Sequence, residues 1–233
     1  MKLTIYIPTF QRPELAACLE SILPQLTPKC RLLVSDNDPE QSARQYCQDA
    51  RILYSHNYLN VGADGNCLRS LNHTHDEYLW VFGDDDIMLP GAIETTLQLL
   101  DGTDRIIHIG DRHGEVNPGF KGTTSEWIDN LQDKSMVVAS TLCTMNIWRT
   151  NILNAAMGVR GLDTRNVMCW AGIDARTVTV APEPLIQVGR GHPYPFPYFG
   201  RSMDEYLIAM RIRHGAHSAF TMNDANRWNY TNV

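Results

Sequence analysis

Trp80-Val81-Phe82-Gly83-Asp84-Asp85-Asp86-Ile87-Met88-Leu89-Pro90 is an apolar run that ends in three consecutive carboxylates. Residues 79–82 read as a buried strand, and Gly83 lets the backbone turn so that the acidic side chains collect at the strand's carboxyl end. Two unit charges ~4 Å apart repel by about 4 kcal/mol at an effective dielectric of ~20, so a cation is the simplest compensation. Pro90 then opens a helix at a position where its missing N–H does no harm. Hard oxygen ligands suit Mg2+ or Mn2+, and a metal held by one or two carboxylates keeps room for phosphate oxygens. The alternative is an acidic turn that merely caps the following helix.

The same strand, polar loop, helix order extends outward from this stretch. Leu3, Ile5 and Ile7 alternate with Thr4 and Tyr6 until Pro8, which suits a first strand. Pro13 opens a helix with Leu15, Leu19, Ile22 and Leu23 on one side. Residues 31–35 and 52–54 read as strands, 41–48 and 65–71 as helices, and 106–109 as a fifth strand after the helix that follows Pro90. Strands alternating with helices predict a parallel sheet covered on both faces, with its ligand crevice at the carboxyl ends of the strands.

Near Gly110 the chain changes character, because 111–122 is rich in turn formers and has no period. This divides it into residues 1–110 and 111–233, two halves of one compact domain. The second half predicts a helix at 125–131, a mixed apolar stretch at 136–147, a helix at 151–157 and a strand at 177–180. Residues 202–212 space Met203, Tyr206, Leu207 and Met210 as one helical face. Core docking of that face is the plain expectation; another subunit, giving a homodimer, or a membrane surface are the others.

The 233 residues are 43% hydrophobic and 20% charged, the composition of an ordinary globular protein. A formal charge of −6 without a Lys/Arg run disfavours nucleic acid as a partner. The N-terminus lacks the apolar length and cleavage site of a signal peptide, and no run of eighteen apolar residues predicts a transmembrane helix, so a soluble, cytoplasmic protein is expected. The 6 cysteines are scattered without C-x-x-C spacing and read as reduced, buried side chains.

Each early strand ends in a polar signature: Pro8-Thr9-Phe10-Gln11-Arg12-Pro13, Val34-Ser35-Asp36-Asn37-Asp38, Asn57-Tyr58-Leu59-Asn60-Val61-Gly62, and then the triplet. In this order the set resembles the family 2 glycosyltransferases of GT-A fold, with a P-T-x-x-R opening, a V-x-D-N strand end, an N-x-G loop and a D-x-D motif. The resemblance covers roughly residues 1–110. It implies the GT-A (nucleotide-diphospho-sugar transferase) α/β fold, with a central mostly parallel sheet and helices on both faces. Residues 1–110 would then be the nucleotide-sugar-binding half and 111–233 the acceptor-side half with a C-terminal helix. It also implies a hexosyltransferase-like enzyme moving a sugar from a UDP-sugar to a hydroxyl of a glycan, lipid-linked or small-molecule acceptor.

Carried over, Thr9 and Arg12 border the nucleotide, and Asp36 accepts from the imide N–H of uracil, which cytosine lacks. Asn60 and Gly62 form the loop beneath the nucleotide. Arg69 reaches base or phosphate, although the Ala-Arg-Asn often found there is replaced by Gly65-Asn-Cys-Leu-Arg69. Asp84 meets ribose or metal, Asp85 makes a sugar or outer contact, and Asp86 coordinates Mn2+ or Mg2+ directly, with His192 completing the metal shell. The residue types also allow plainer readings. Asp36 can cap a turn with Asn37 and Asp38, Asn60 and Gly62 can be a turn pair, and Arg12 and Arg69 can be solvated charges.

The chemistry requires expulsion of a diphosphate and removal of a proton from the attacking oxygen. The resemblance implies that, if the enzyme is inverting, its base lies in the second half, where Asp163 in Gly161-Leu-Asp163, ahead of Thr177-Val-Thr-Val-Ala-Pro182, is the nearest match, although the usual Glu-Asp-Trp is absent. Asp163 is equally suited to N-capping, with Asp111, Glu126 and Asp174 as other candidates. Trp127, Trp148, Trp170 and Tyr194 are read as core or as sugar-stacking faces. A non-catalytic nucleotide-sugar or glycan-binding module is the alternative of a different class, and a nucleotidyltransferase the lesser one, since no Gly-rich phosphate loop is present.

Overall fold

The computed structural model describes residues 1–109, 113–132, 143–160, 171–172 and 175–189. Its centre is an eight-stranded sheet in the order β3-β2-β1-β4-β8-β6-β9-β7. β1 (Leu3–Thr9), β2 (Cys30–Asp36), β3 (Ile52–His56) and β4 (Tyr78–Val81) form its parallel half. The other half mixes directions. β8 (Asn146–Arg149) runs antiparallel between β4 and β6 (Arg105–Ile107), β9 (Thr177–Val180) is parallel to β6, and β7 (Lys121–Thr123) closes the edge antiparallel to β9. Strands from the second half of the chain thus share a sheet with those of the first.

Both faces of this sheet are buried. Leu3, Ile5 and Ile7 pack with Leu15, Leu19 and Ile22 of α1 (Leu15–Ile22) on one side. Each fully buried aliphatic side chain of this kind contributes roughly 1.5–3 kcal/mol. On the other side Tyr6, Leu33, Leu79 and Val81 meet Leu71, Leu153 and Ala156, carried by α3 (Ser70–His73) and α6 (Thr150–Arg160). The alternation in β1 therefore separates two covered faces rather than core from solvent. Thr4 on the second face is fully buried because its hydroxyl donates to Asp76 Oδ2 at 2.6 Å.

Local chemistry shifts several expected boundaries. The expected helix at 41–48 is a 3-10 turn, Ser42–Tyr46, entered through Gln41 at φ 58°. The helix expected at 65–71 starts earlier, as α2 (Gly62–Leu68), and α3 follows it. α4 (Ala92–Leu99) begins after Gly91 in the left-handed region, so Pro90 stands outside the helix it was expected to open. α5 (Thr124–Asn130) starts with a full capping box, in which Thr123 and Glu126 satisfy each other's backbone N–H groups.

Two very short strands bring the segment around residue 187 onto the acidic triplet. β5 (Ile87–Met88), directly after the triplet, pairs antiparallel with β10 (Ile186–Gln187). Ile87 opposite Gln187 puts Gly189 opposite Asp85 when the register is continued. Among the described residues no helix is long and apolar enough to cross a membrane. The expected C-terminal helix at 202–212 lies outside the described residues.

Candidate functional site

In-register pairing gathers the strand-end motifs on one rim. Thr9 stands opposite Asp36 and Asp36 opposite His56, while β4, on the other side of β1, runs on into Gly83 and the triplet. Thr9 Oγ1 donates to Asp84 Oδ2 at 2.7 Å. Arg12, from the turn after β1, places Nε 3.5 Å from Asp84 Oδ1 and Nη2 3.1 Å from Asp85 Oδ2. Four residues from two separate motifs thus form one bonded cluster.

Asp86 is held from the opposite side. It is 5% exposed, and its Oδ1 accepts the Gly189 N–H at 2.7 Å. Its Oδ2 lies over Gly83, where a Cβ would sit 2.5 Å from it, so only glycine permits this approach. Thr144 Oγ1 accepts the Gly83 N–H at 3.1 Å, and Trp80 Nε1 donates to the Thr144 carbonyl at 2.9 Å. A Cβ on Gly189 would run into the backbone and carboxyl of Asp85, so a second glycine is needed here as well.

Burial raises the Asp84 carboxyl above its ordinary range, against the hydrogen bond from Thr9 and the charge of Arg12. Burial likewise raises Asp86, opposed by the Gly189 N–H and the Thr144 side chain and reinforced by Asp85 and Asp84. Carboxylates held near one another and shielded from water favour an added cation. The donor set suits Mg2+ or Mn2+, since oxygens that each accept one bond still present a second lone pair. Among the described residues no three His, Cys, Asp or Glu side chains enclose a metal position, so any cation here would take further ligands from a bound phosphate or water.

The other expected site residues sit as follows. Asp36 has no exposed surface; Oδ1 accepts the Asp38 N–H, and Oδ2 accepts both the Ala43 N–H and the Tyr54 hydroxyl, each at 2.9 Å. These bonds are those of the turn-cap reading. Asn60 Oδ1 accepts the Gly62 N–H and Asn37 Nδ2, both at 2.8 Å, with Gly62 at φ 79°. Arg69 follows α2, with Nη2 3.5 Å from His73 Nε2, and no described bond joins it to the triplet. Trp127 and Trp148 are fully buried, flanking the Arg105 guanidinium at 5.7 and 4.6 Å, so they offer no face to a sugar. Glu126 is occupied by its capping box. Asp163, His192, Asp111, Asp174, Trp170 and Tyr194 lie outside the described residues.

Sequence reasoning missed the framework that holds the rim together. Asn66, 2% exposed, accepts from Ser35 Oγ at 2.7 Å and Asn57 Nδ2 at 3.1 Å and donates to the Ser35 carbonyl at 2.9 Å. Its own carbonyl accepts the Tyr6 hydroxyl at 2.7 Å. Asn37 Oδ1 accepts from Asn57 Nδ2 at 2.9 Å and the Val61 N–H at 3.0 Å. One amide network therefore ties β1, β2, β3 and α2 behind the site. An asparagine inside a helical stretch, where it is a poor former, was the available signal. Thr144 and Gly189 gave none, being brought in from 61 and 103 residues away.

Comparison with known proteins agrees with this geometry. The profile of the family described as Glycosyl transferase family 2 matches residues 4–153, more than half of the chain. A Campylobacter jejuni protein, GalNAc(5)-diNAcBac-PP-undecaprenol beta-1,3-glucosyltransferase, is 26% identical over 151 residues, 59% of this chain and 48% of its own. The abequosyltransferase RfbV of Salmonella typhimurium is 29% identical over 110 residues, 43% of this chain and 33% of its own. The chain thus spans half or less of the length of these relatives. Among solved structures, S. aureus TarS 1-349 in complex with UDP-GlcNAc superposes with a TM-score of 0.69 at 13% identity, covering 97% of this chain and 70% of TarS. The mannosyltransferase PcManGT of Pyrobaculum calidifontis, in complex with GDP-Man and Mn2+, gives 0.60 at 11% identity, covering 94% and 65%. The fold is that of GT-A glycosyltransferases, and the chain belongs to glycosyltransferase family 2.

Proposed function

We propose that the protein is a metal-dependent, inverting glycosyltransferase that moves a sugar from a UDP-sugar to an acceptor hydroxyl. The observation that carries this is the cluster of Thr9, Arg12, Asp84 and Asp85 at the carboxyl ends of β1 and β4, with Asp86 fixed beside it by Gly189. In an open α/β sheet this is where a nucleotide ligand binds.

Thr9 orients Asp84 toward the ribose side, Arg12 supplies positive charge to the diphosphate, and Asp86 and Asp84 present the carboxylate oxygens that hold Mn2+ or Mg2+. When bound, the cation offsets the charge of the departing diphosphate. Asp85 is the outer or sugar contact. Phe10, Tyr58, Leu59 and Val61 are exposed on the same rim, and this apolar lip suits the face of the base. Asn60 and Gly62 shape the loop beneath it, and Arg69 is assigned to base or phosphate. Asp36 supports the rim through its turn. Asp163 is the proposed base. His192 is the proposed last metal ligand, and Gly189, on the triplet itself, is three residues before it, a reach of at most about 11 Å. For the acceptor we favour a lipid-linked glycan, in line with the name of the Campylobacter relative.

Calorimetric titration of UDP, GDP, CMP and dTDP, with and without Mn2+, tests the reading. Mn2+-dependent UDP binding that is lost in Asp86→Ala, followed by transfer from a UDP-sugar, is expected. No nucleotide binding sinks the proposal, and UDP binding without transfer to any acceptor returns the chain to a non-catalytic nucleotide-sugar-binding module.

A further inference from the structure

Arg12 stands where the triplet most needs a cation. Its guanidinium spans two carboxylates, with Nε 3.5 Å from Asp84 and Nη2 3.1 Å from Asp85. Both separations exceed about 2.7–2.9 Å, the length of a strong charge-assisted hydrogen bond, so the pairing is exchangeable. All three side chains are partly open to water, at 18% for Arg12, 13% for Asp84 and 18% for Asp85. Two of the three carboxylates have holders besides Arg12. Thr9 holds Asp84, and Gly189 holds Asp86.

Charge balance points the same way. Three carboxylates and one guanidinium leave a deficit of about two positive charges, which a divalent cation fills. A donor diphosphate arriving with that cation adds negative charge beside a guanidinium whose planar fork matches phosphate oxygens. Arg12 follows Gln11, which is in the left-handed region at φ 52°, and precedes Pro13, so its backbone is constrained while its long side chain supplies the reach.

We infer that Arg12 is the resident cation of the triplet before the donor binds. The incoming divalent metal takes over its place, and the freed guanidinium closes on the donor's diphosphate. The inference rests on the triplet being the metal and donor site. Its consequence is positive coupling: metal alone must compete with Arg12, whereas metal with nucleotide gives Arg12 a new partner.

The test is Mn2+ binding, followed by the paramagnetic resonance signal of free Mn2+, to wild type, Arg12→Ala and Arg12→Lys, without nucleotide and at saturating UDP. Arg12→Ala should bind Mn2+ roughly three- to tenfold more tightly than wild type without nucleotide, and Arg12→Lys should fall between. At saturating UDP the gain should vanish, and the Arg12→Ala affinity for UDP in Mn2+ should drop. An unchanged Mn2+ affinity without UDP overturns the counter-ion role, and an equal gain with and without UDP overturns the exchange. Wild type that binds no UDP in Mn2+ overturns the proposed function itself, so the two failures are told apart.

Discussion

The Gly189 N–H donates to Asp86 Oδ1 at 2.7 Å, joining residues 103 positions apart. The bond follows from the β5–β10 pairing, which sets Gly189 against Asp85 and lets its bare Cα pack on the triplet backbone. Gly189→Ala should therefore push the triplet out of place while leaving the main sheet alone. We expect Mn2+-dependent UDP affinity to fall roughly 10- to 100-fold, the scale of misplacing a site group by about 1 Å. Titration beside a circular-dichroism melt checks this, and wild-type affinity would show that the contact positions nothing.

Thr144 is the other brace, its hydroxyl accepting the Gly83 N–H at 3.1 Å. Thr144→Val keeps the shape and orphans that N–H, at a cost of roughly 1–3 kcal/mol in urea unfolding. Thr144→Ser should restore both stability and Mn2+-dependent UDP binding. If valine is as good as serine in both assays, the hydroxyl is idle.

Asp36 receives three donors, from Asp38, Ala43 and Tyr54. Asp36→Asn turns an acceptor-only group into one with an NH2 that must face those donors, so stability should fall by roughly 1–3 kcal/mol. The preference for UDP over CMP should stay as in wild type. Loss of that preference with unfolding unchanged would assign Asp36 to the base instead of the turn.

His108 gives the fold a specific acid sensitivity. It is wholly buried, its ring lies 5.2 Å from Trp80, and burial, then the charge of His113, pushes its pKa down to about 3. The unfolded chain protonates near 6.5, so between those values the unfolded state binds more protons. The stability due to neutral His108 is complete above about pH 6.5 and drains as pH falls toward 3. Melting temperature, followed by Trp fluorescence from pH 7 to pH 4, should drop less steeply in His108→Phe than in wild type. His113, also lowered by burial, keeps part of the slope. Equal slopes would remove His108 from the acid response.

Much of the parallel half was legible because its determinants are local. Apolar runs of strand length ending at Thr9, Asp36 and Gly83, separated by helical periods, announce strands whose carboxyl ends must share a rim. In the mixed half β6 and β9 were legible too, close to the strands expected at 106–109 and 177–180, whereas β7 and β8 were not. β8 lies within four residues of polar and aromatic character, and only insertion between β4 and β6 makes Asn146–Arg149 a strand. Trp127 and Trp148 likewise read equally as core or as sugar platforms, and packing around Arg105 decided for core.

By itself the sequence determined the alternating α/β order, the strand-end placement of Thr9, Arg12, Asn60, Gly62 and the triplet, and membership in a family whose motifs recur in that order, since all of these depend on residue type and short spacing. Tertiary structure alone decided which oxygen faces which donor: Arg12 on Asp84 and Asp85, Gly189 on Asp86, and Asp36 turned inward to its own turn. The reason is physical. A carboxylate takes the nearest unsatisfied donors that burial leaves it, and those donors come from strands and turns up to 103 residues away, whose approach is set by sheet register and by glycines that lack a Cβ.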